Sequence, residues 1–365
     1  MFTKRKARLI HYLQSELKVD VALIMSPIHI YYYTGFLSDP YERFFALAVD
    51  MKTEKTILFV PALDVEAARR VVDVVELIPI NDSENPYTIL KNNLRNDINS
   101  FALEKSYLSL IQYEQLKETF PEAIYKNIED YIHRERMHKS PDEIKHVKKA
   151  IQITEQGLKN TIEKIAPGLT ELQLKADLEY ELTMLGADGL AFDTVVLSGE
   201  QSALPHGTAS HRKVNEGDFL LFDVGVRVNG YHSDITRTFV VGKSNNKQRE
   251  IYEIVKNANE RAIERVEVGI PLKEIDIAAR EYIAEKGYDQ YFPHRIGHGL
   301  GLDVHELPSI HQENEEKVEA GFLFTIEPGI YILGIGGVRI EDNIYVTEQG
   351  KVEILTNYPK TLIEI

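Results

Sequence analysis

One helical pattern occurs twice in this chain. "APGLTELQLKADLEYELTMLG", beginning at Ala166, returns 101 positions later as "EVGIPLKEIDIAAREYIAEKG", beginning at Glu267. Gly168 falls on Gly269 and Gly186 on Gly287, while Leu174, Leu178 and Leu182 fall on Ile275, Ala279 and Ile283. Apolar residues four apart share one helix face, and a glycine just past the last of them ends the helix. Each copy is followed by β-rich sequence. Two amphipathic helices can coincide by chance, but helix, glycine stop and strands recurring together suggest a duplicated α+β unit. Such halves would face each other, and a site between them would draw residues from both.

The duplication occupies only the later part of the chain, and 365 residues suggest two domains. Upstream, "DVALIM", "FFALAVD", "TILFV" and "VELIPI" read as strands, and residues 4–18, 62–70, 86–96 and 108–118 as helices. This alternation predicts an α/β domain over 1–137 with a mixed, helix-covered sheet. In "HKSPDEIKHVKKA", Ser140 as N-cap, Pro141 at the first helical position and Glu143 at N3 open a helix through about Ile165. A second domain then runs over 138–365, with Thr170 capping its next helix and Gly186 stopping it.

The start, "MFTKRKARLIHYLQSEL", reads as an amphipathic helix rather than a signal peptide, and no apolar run approaches the ~20 residues of a membrane span. There are no cysteines, which removes disulfides, thiolate nucleophiles and Cys-type zinc sites and leans towards the cytoplasm. A formal net charge of −15 with no basic block after residue 8 argues against nucleic acid.

Candidate chemistry gathers after residue 190. "LPHG" carries His206, and "LLFDVGVRVNGYHSDITRTF" carries Asp223 and Asp234, eleven positions apart on the arms of a predicted hairpin. "HRIGHGLGLDVHE" carries His294, Arg295, His298 and His305; "FLFTIEPGIY" carries Glu327; "GGVRIEDNIYV" carries Arg339 and Glu341. A single carboxylate in a buried strand is usually a salt bridge or a strand-end cap. Four of them with histidines are harder to neutralise, because Arg339 cannot compensate four charges. Two divalent cations would balance Asp223, Asp234, Glu327 and Glu341, with neutral His298 completing the set. Carboxylate-rich ligation with one imidazole favours Mn²⁺, with Co²⁺ or Zn²⁺ as alternatives. Paired metals can activate a shared water and clamp a tetrahedral transition state. No HExxH-type helix motif is present, so spacing alone does not identify this chemistry.

In that order, these segments resemble the pita-bread-fold metallopeptidases that cleave at Xaa-Pro bonds (peptidase family M24), and among them the bacterial Xaa-Pro dipeptidases, or prolidases. The likeness extends to "YTGFLSDPYER" and "SPDEI". It implies an α+β fold class, with a pita-bread (creatinase/aminopeptidase-like) catalytic domain of pseudo-twofold duplicated halves. A smaller creatinase-type N-terminal α/β domain would serve dimerisation and site closure. It implies Asp223 as a chelating ligand, Asp234 and Glu341 as bridging ligands, and His298 and Glu327 as ligands of one metal. His206 and His305 would face the scissile bond, and Arg339 would lie near the substrate. Arg295 is placed like the arginine that precedes GHG in the dipeptidases, where it could read the product-side carboxylate. The loop "FLSDPYER" of a second subunit would offer Asp39, Tyr41 and Arg43. Tyr41 stands where relatives carry a histidine, which leaves the Xaa preference open, and a plain turn is the alternative for Asp39-Pro40.

The activity so implied is hydrolysis of proline-containing dipeptides by a homodimer. A metal-bridging hydroxide would attack, Glu327 would relay a proton to the prolyl nitrogen, and His206 or His305 would donate to the oxyanion. The competing readings are an Xaa-Pro aminopeptidase acting on longer peptides, a pita-bread binding module that has lost its metals, and a metal-free relative that hydrolyses creatine. His294 reads as structural support, Arg237 as a surface or salt-bridge residue, and His232 as lying on a different strand face from Asp234. The glycines of "HRIGHGLGLDVHE" lack a strand–GxGxxG–helix context and read as room for close backbone approach.

Overall fold

The computed structural model describes residues 2–72 and 75–365. The chain divides into two compact units, Met1–Glu135 and Arg136–Ile365.

In the first unit six strands form one mixed sheet, in the order Glu76–Ile80, Thr56–Pro61, Ala46–Asp50, Val21–Ile24, Ser100–Leu103, Ile124–Asn127. Val21–Ile24 pairs antiparallel with Ala46–Asp50 and parallel with Ser100–Leu103. The inner strands are buried along their whole length, which is why they read as unbroken apolar runs rather than alternations. The four expected strands are present, and helices Phe2–Tyr12, Val65–Arg69, Pro86–Asn93 and Leu110–Thr119 fall within or beside the expected spans. Four elements carried no readable signal. Pro27–Thr34 is a helix buried over most of its surface, so it has no polar face to set a period. Ser100–Leu103 and Ile124–Asn127 are only four residues long, and Glu129–Met137 is a largely charged helix.

The second unit contains the duplication. Its first half holds helices Pro141–Ile162 and Glu171–Met184 over a sheet ordered Ile235–Val240, Phe219–Val224, Val195–Ser198. Its second half holds helices Asn246–Glu264 and Lys273–Glu285 over a sheet that includes Gly297–Gly299, Leu323–Ile326 and Asp342–Val346. The Ser140–Glu143 capping box forms as expected, with the Ser140 N–H donating to Glu143 Oε2 at 2.9 Å. The halves repeat the same backbone device. Gly168 N–H donates to Val214 O (2.9 Å) and Val214 N–H to Leu169 O (2.8 Å). In the second half Gly269 N–H donates to Val318 O and Val318 N–H to Ile270 O, both at 2.9 Å. Gly168 and Gly269 have φ of +95° and +94°, a conformation that disfavours a Cβ and fixes both as glycine. Leu174, Leu178 and Leu182 pack in one core with Leu220 and Phe222, and Ile275, Ala279 and Ile283 in another with Phe324 and Ile326.

The expected hairpin is more elaborate than its sequence suggested. Phe219–Val224 and Ile235–Val240 do pair antiparallel, with Asp223 opposite Thr236. Between them, however, Val226–Val228 and Tyr231–His232 form a small hairpin of their own, turning at Asn229 and Gly230 with φ of +50° and +78°. Gly225 makes the excursion possible, because a Cβ there would lie 1.9 Å from Ser233 O.

Candidate metal centre

The acidic residues stand at strand ends, in equivalent places in the two halves. Asp223 is the penultimate residue of Phe219–Val224, and Glu327 directly follows Leu323–Ile326. Asp234 directly precedes Ile235–Val240, and Glu341 directly precedes Asp342–Val346. At a strand end the backbone ladder stops and a side chain can turn into the space between the halves. His298, on Gly297–Gly299, meets them there. Its Nε2 lies 3.6 Å from Asp234 Oδ2 and 3.2 Å from Glu327 Oε1. Ligand atoms of Asp234, His298 and Glu341 all lie within 4.8 Å of one another. His298 Nδ1 faces Gly299 O at 3.1 Å, so the tautomer protonated at Nδ1 leaves Nε2 free to ligate.

Charge is crowded here. Burial first, and then Glu341, Asp223 and Glu327, push the Asp234 carboxyl well above its ordinary range. Burial, Glu327 and Asp223 do the same to Glu341. Burial would also raise Glu327, but its hydrogen bond to His298 and the charges around it hold it below the usual range. Asp223 Oδ1 and Glu341 Oε1 are buried with no hydrogen-bond partner. A buried carboxylate oxygen left this way is costly, and cations would satisfy both. The donor set therefore fits hard divalent ions, which Asp223, Asp234, His298, Glu327 and Glu341 would hold.

Arg339, buried beside these groups, is already engaged. Arg339 donates from Nη2 to Asp223 Oδ2 (2.5 Å), from Nη1 to Tyr331 Oη (2.8 Å) and from Nε to Thr236 Oγ1 (3.0 Å). Thr236 Oγ1 in turn donates to Glu341 Oε2 at 2.8 Å. Arg339 thus orients two carboxylates while neutralising only one charge. His294 supports the same network, its Nε2 lying 2.9 Å from Tyr331 Oη. Tyr331 was not singled out in the sequence, where it reads as one more apolar strand residue. Of its two expected readings Arg237 takes the salt-bridge one, as a fully buried residue, 1% exposed. It pairs with Asp342 at 2.8 Å and donates to Glu341 O at 2.5 Å, holding the backbone of a ligand from behind. His232 Nδ1 lies 3.0 Å from Gly301 O, and its strand ends before Asp234, so alternation does not relate the two side chains.

A cavity of about 590 Å³ opens over the cluster. It is lined by all five acidic and histidine candidates and by His206, His294, Arg295, His305 and Arg339, with Phe192, Val195 and Val304 supplying apolar wall. The His305 ring meets the His298 ring edge to face, their centroids 4.2 Å apart. Burial, then His298 and Arg295, lower the His305 pKa to about 4, so it is a neutral N–H donor at pH 7. Arg295 Nη1 donates to Ser309 Oγ at 3.0 Å, and among the described residues no carboxylate pairs with it. Asp39 and Tyr41 are not among the lining residues. Asp39 Oδ1 accepts the Tyr41 N–H at 3.1 Å and Tyr41 takes φ of +53°. Gly297 and Gly299 hold no phosphate loop. A Cβ on them would lie 1.9 Å from Thr325 O and 2.1 Å from Leu307 O, so the strands beside His298 close only on glycine.

The family described as "Metallopeptidase family M24" matches residues 145–348, and "Creatinase/Prolidase N-terminal domain" matches residues 5–138. An uncharacterized peptidase of Staphylococcus aureus is 39% identical over 343 residues, covering 94% of this chain and 96% of the relative. A prolidase from Pyrococcus furiosus has a similar structure, with TM-score 0.86 and 39% identity over 95% of this chain and 99% of its own. So does an X-Pro aminopeptidase from Thermotoga maritima, with TM-score 0.89 and 34% identity over 99% of this chain and 100% of its own. No helix among the described residues is long and apolar enough to cross a membrane.

Proposed function

The chain belongs to metallopeptidase family M24, and from that premise we propose that it hydrolyses Xaa-Pro dipeptides with two divalent cations, Mn²⁺ by preference. The observation that carries this reading is one cavity with two features. It holds a cluster of four carboxylates and a histidine with two unpartnered oxygens, and it holds an arginine, Arg295, that has no carboxylate partner among the described residues. The first suits cations, and the second suits the free C-terminal carboxylate that a dipeptide places next to its proline. Bound cations would supply Lewis acidity and an activated water.

The chain's own residues do the rest. Glu327, kept ionised beside Arg339, takes a proton from the attacking water and delivers it to the prolyl nitrogen. That nitrogen has no hydrogen in the substrate, so its departure needs one. His305 and His206 donate N–H groups to the oxygen that gains charge, a contact stronger in the transition state than before it. Arg295 fixes the carboxylate end of the substrate, and Arg339 fixes Asp223. In a homodimer, the loop bearing Asp39 and Tyr41 from a second copy would limit substrate length. The 79% exposure of Tyr41 is compatible with that role.

A second reading, an aminopeptidase that removes Xaa from longer Xaa-Pro-Yaa peptides, draws on the likeness to the X-Pro aminopeptidase. One experiment separates the two: a panel of Xaa-Pro and Xaa-Pro-Yaa peptides assayed with Mn²⁺, Co²⁺ and Zn²⁺ in turn. Higher kcat/KM on the dipeptides supports our reading, and preference for the longer peptides replaces it with the second.

A further inference from the structure

His305 ends a loop, residues 300–305, between strands Gly297–Gly299 and Glu306–Ile310, yet a catalytic hydrogen-bond donor has to be held within about half an ångström. The loop is fastened at both ends. At its start, Gly301 O accepts from the His232 N–H at 2.8 Å, with His232 Nδ1 also 3.0 Å away. At its end, Glu306 is buried between two cations, with one oxygen on Lys139 Nζ and the other on Arg136 Nη2. Arg136 reaches the loop a second time through Asp303, at 2.7 Å. Lys139 and Arg136 are 1% and 5% exposed at their side chains and Glu306 8%, so all three charges were removed from water to make this contact.

Burying such a cluster is expensive and weak evidence for stability alone; replacement by apolar residues of similar volume is often neutral or better. What an apolar patch would not supply is a fixed register of the loop. Glu306 is the next residue after His305. Glu306 opens its strand opposite Gly299, and with both its oxygens tied it anchors the end of the loop where the His305 ring stands edge-on to His298. Burial opposes its ionisation, but Lys139 and Arg136 outweigh burial and keep it charged, with its pKa at about 2. Glu306 therefore stays charged at neutral pH. The cluster itself does not line the cavity.

We propose that Glu306, clamped by Arg136 and Lys139, is a positioning residue that fixes His305 over the reacting carbonyl. This rests on the role given to His305 in the proposed function. A double-mutant cycle tests it, using Glu306→Gln, His305→Ala and both together in the metal-loaded full chain, with kcat, KM and bound metal measured on an Xaa-Pro dipeptide. We expect E306Q to lower kcat by about 10- to 100-fold with little change in KM or metal content. In the His305→Ala background the same change should cost less than about two-fold, because what it positions is gone. Equal fold-losses in both backgrounds overturn the proposal and leave Glu306 a purely structural residue. Normal turnover in His305→Ala alone overturns the role of His305 and the inference with it, and is distinguishable from the first failure. Should E306Q not fold, Glu306→Asp keeps the charge and shortens its reach. A kcat reduced several-fold in wild-type background but not beside His305→Ala supports the clamp, and unchanged kcat overturns it.

Discussion

Glu327 and Arg295 make the proposed chemistry separable residue by residue. Glu327→Gln keeps the size and hydrogen-bonding shape of the side chain but loses the charge and the proton relay. It should fold normally and lose about 10²- to 10⁴-fold in kcat. Near-normal turnover in that variant, with metal bound, would mean that the proton moves by another route. Arg295→Met should leave kcat nearly intact and raise KM for Xaa-Pro dipeptides by roughly 10- to 100-fold, the worth of a hydrogen bond to a charged group. It should change little for a substrate whose C-terminus is amidated, and equal losses on both substrates would remove Arg295 from carboxylate recognition. Glu306 gives a pH signature. Its folded pKa of about 2 lies below the ordinary 4.5, so its stabilisation is complete above about pH 4.5 and is lost as pH falls towards 2. In urea titrations from pH 5 down to pH 3, the wild-type midpoint should fall more steeply than that of E306Q.

Elements place these residues, and the duplicated halves place them in pairs. The helix pattern, the glycine stops and the capping boxes were legible because each is a local rule: a period of 3.6, a positive φ, a hydroxyl three residues before an acid or amide. Pro27–Thr34 was not legible, because a helix buried over most of its surface erases its own period. The excursion between Asp223 and Asp234 was missed for a related reason: strands of two and three residues are set by pairing rather than propensity. Two substitutions test the packing. Leu178→Ala, in the first-half core, should cost about 2–5 kcal/mol without changing KM. Gly297→Ala drives a Cβ to 1.9 Å from a backbone oxygen, so it should both destabilise and weaken metal binding. If Gly297→Ala keeps wild-type stability and metal content, the strand beside His298 is looser than these contacts imply.

At the scale of the molecule, the carboxylate cluster couples metal binding to stability. In the metal-free protein Asp234 and Glu341 have folded pKa values well above the ordinary range, raised by burial and by their acidic neighbours. A raised pKa contributes stability that is fully present below the unfolded pKa and is lost as pH rises through the folded one. The chelated protein should therefore weaken as pH rises above about 4.5. Cations reverse this, because they bind the folded cluster and not the dispersed carboxylates. Full chelation at pH 8 should lower Tm by at least about 5 °C. The gap between loaded and chelated protein should be narrower at pH 6. A Tm indifferent to metal at both pH values would sink the coupling.

Local sequence carried the duplication, the sheet-and-helix makeup of both units, and the candidate residues for the proposed chemistry. These follow from local periodicity, from backbone conformations only glycine takes, and from the excess of acid over base in otherwise apolar strands. Tertiary structure alone decided which charges meet. Arg339 turns to Asp223 and Tyr331, Arg237 lies buried behind Glu341 rather than at the surface, and Glu306 closes on Arg136 and Lys139 from more than a hundred residues away. The physical reason is that a side chain's partner in a buried site is fixed by the crossing of strands and loops distant in sequence. Its cost or gain depends on burial, which no residue carries on its own.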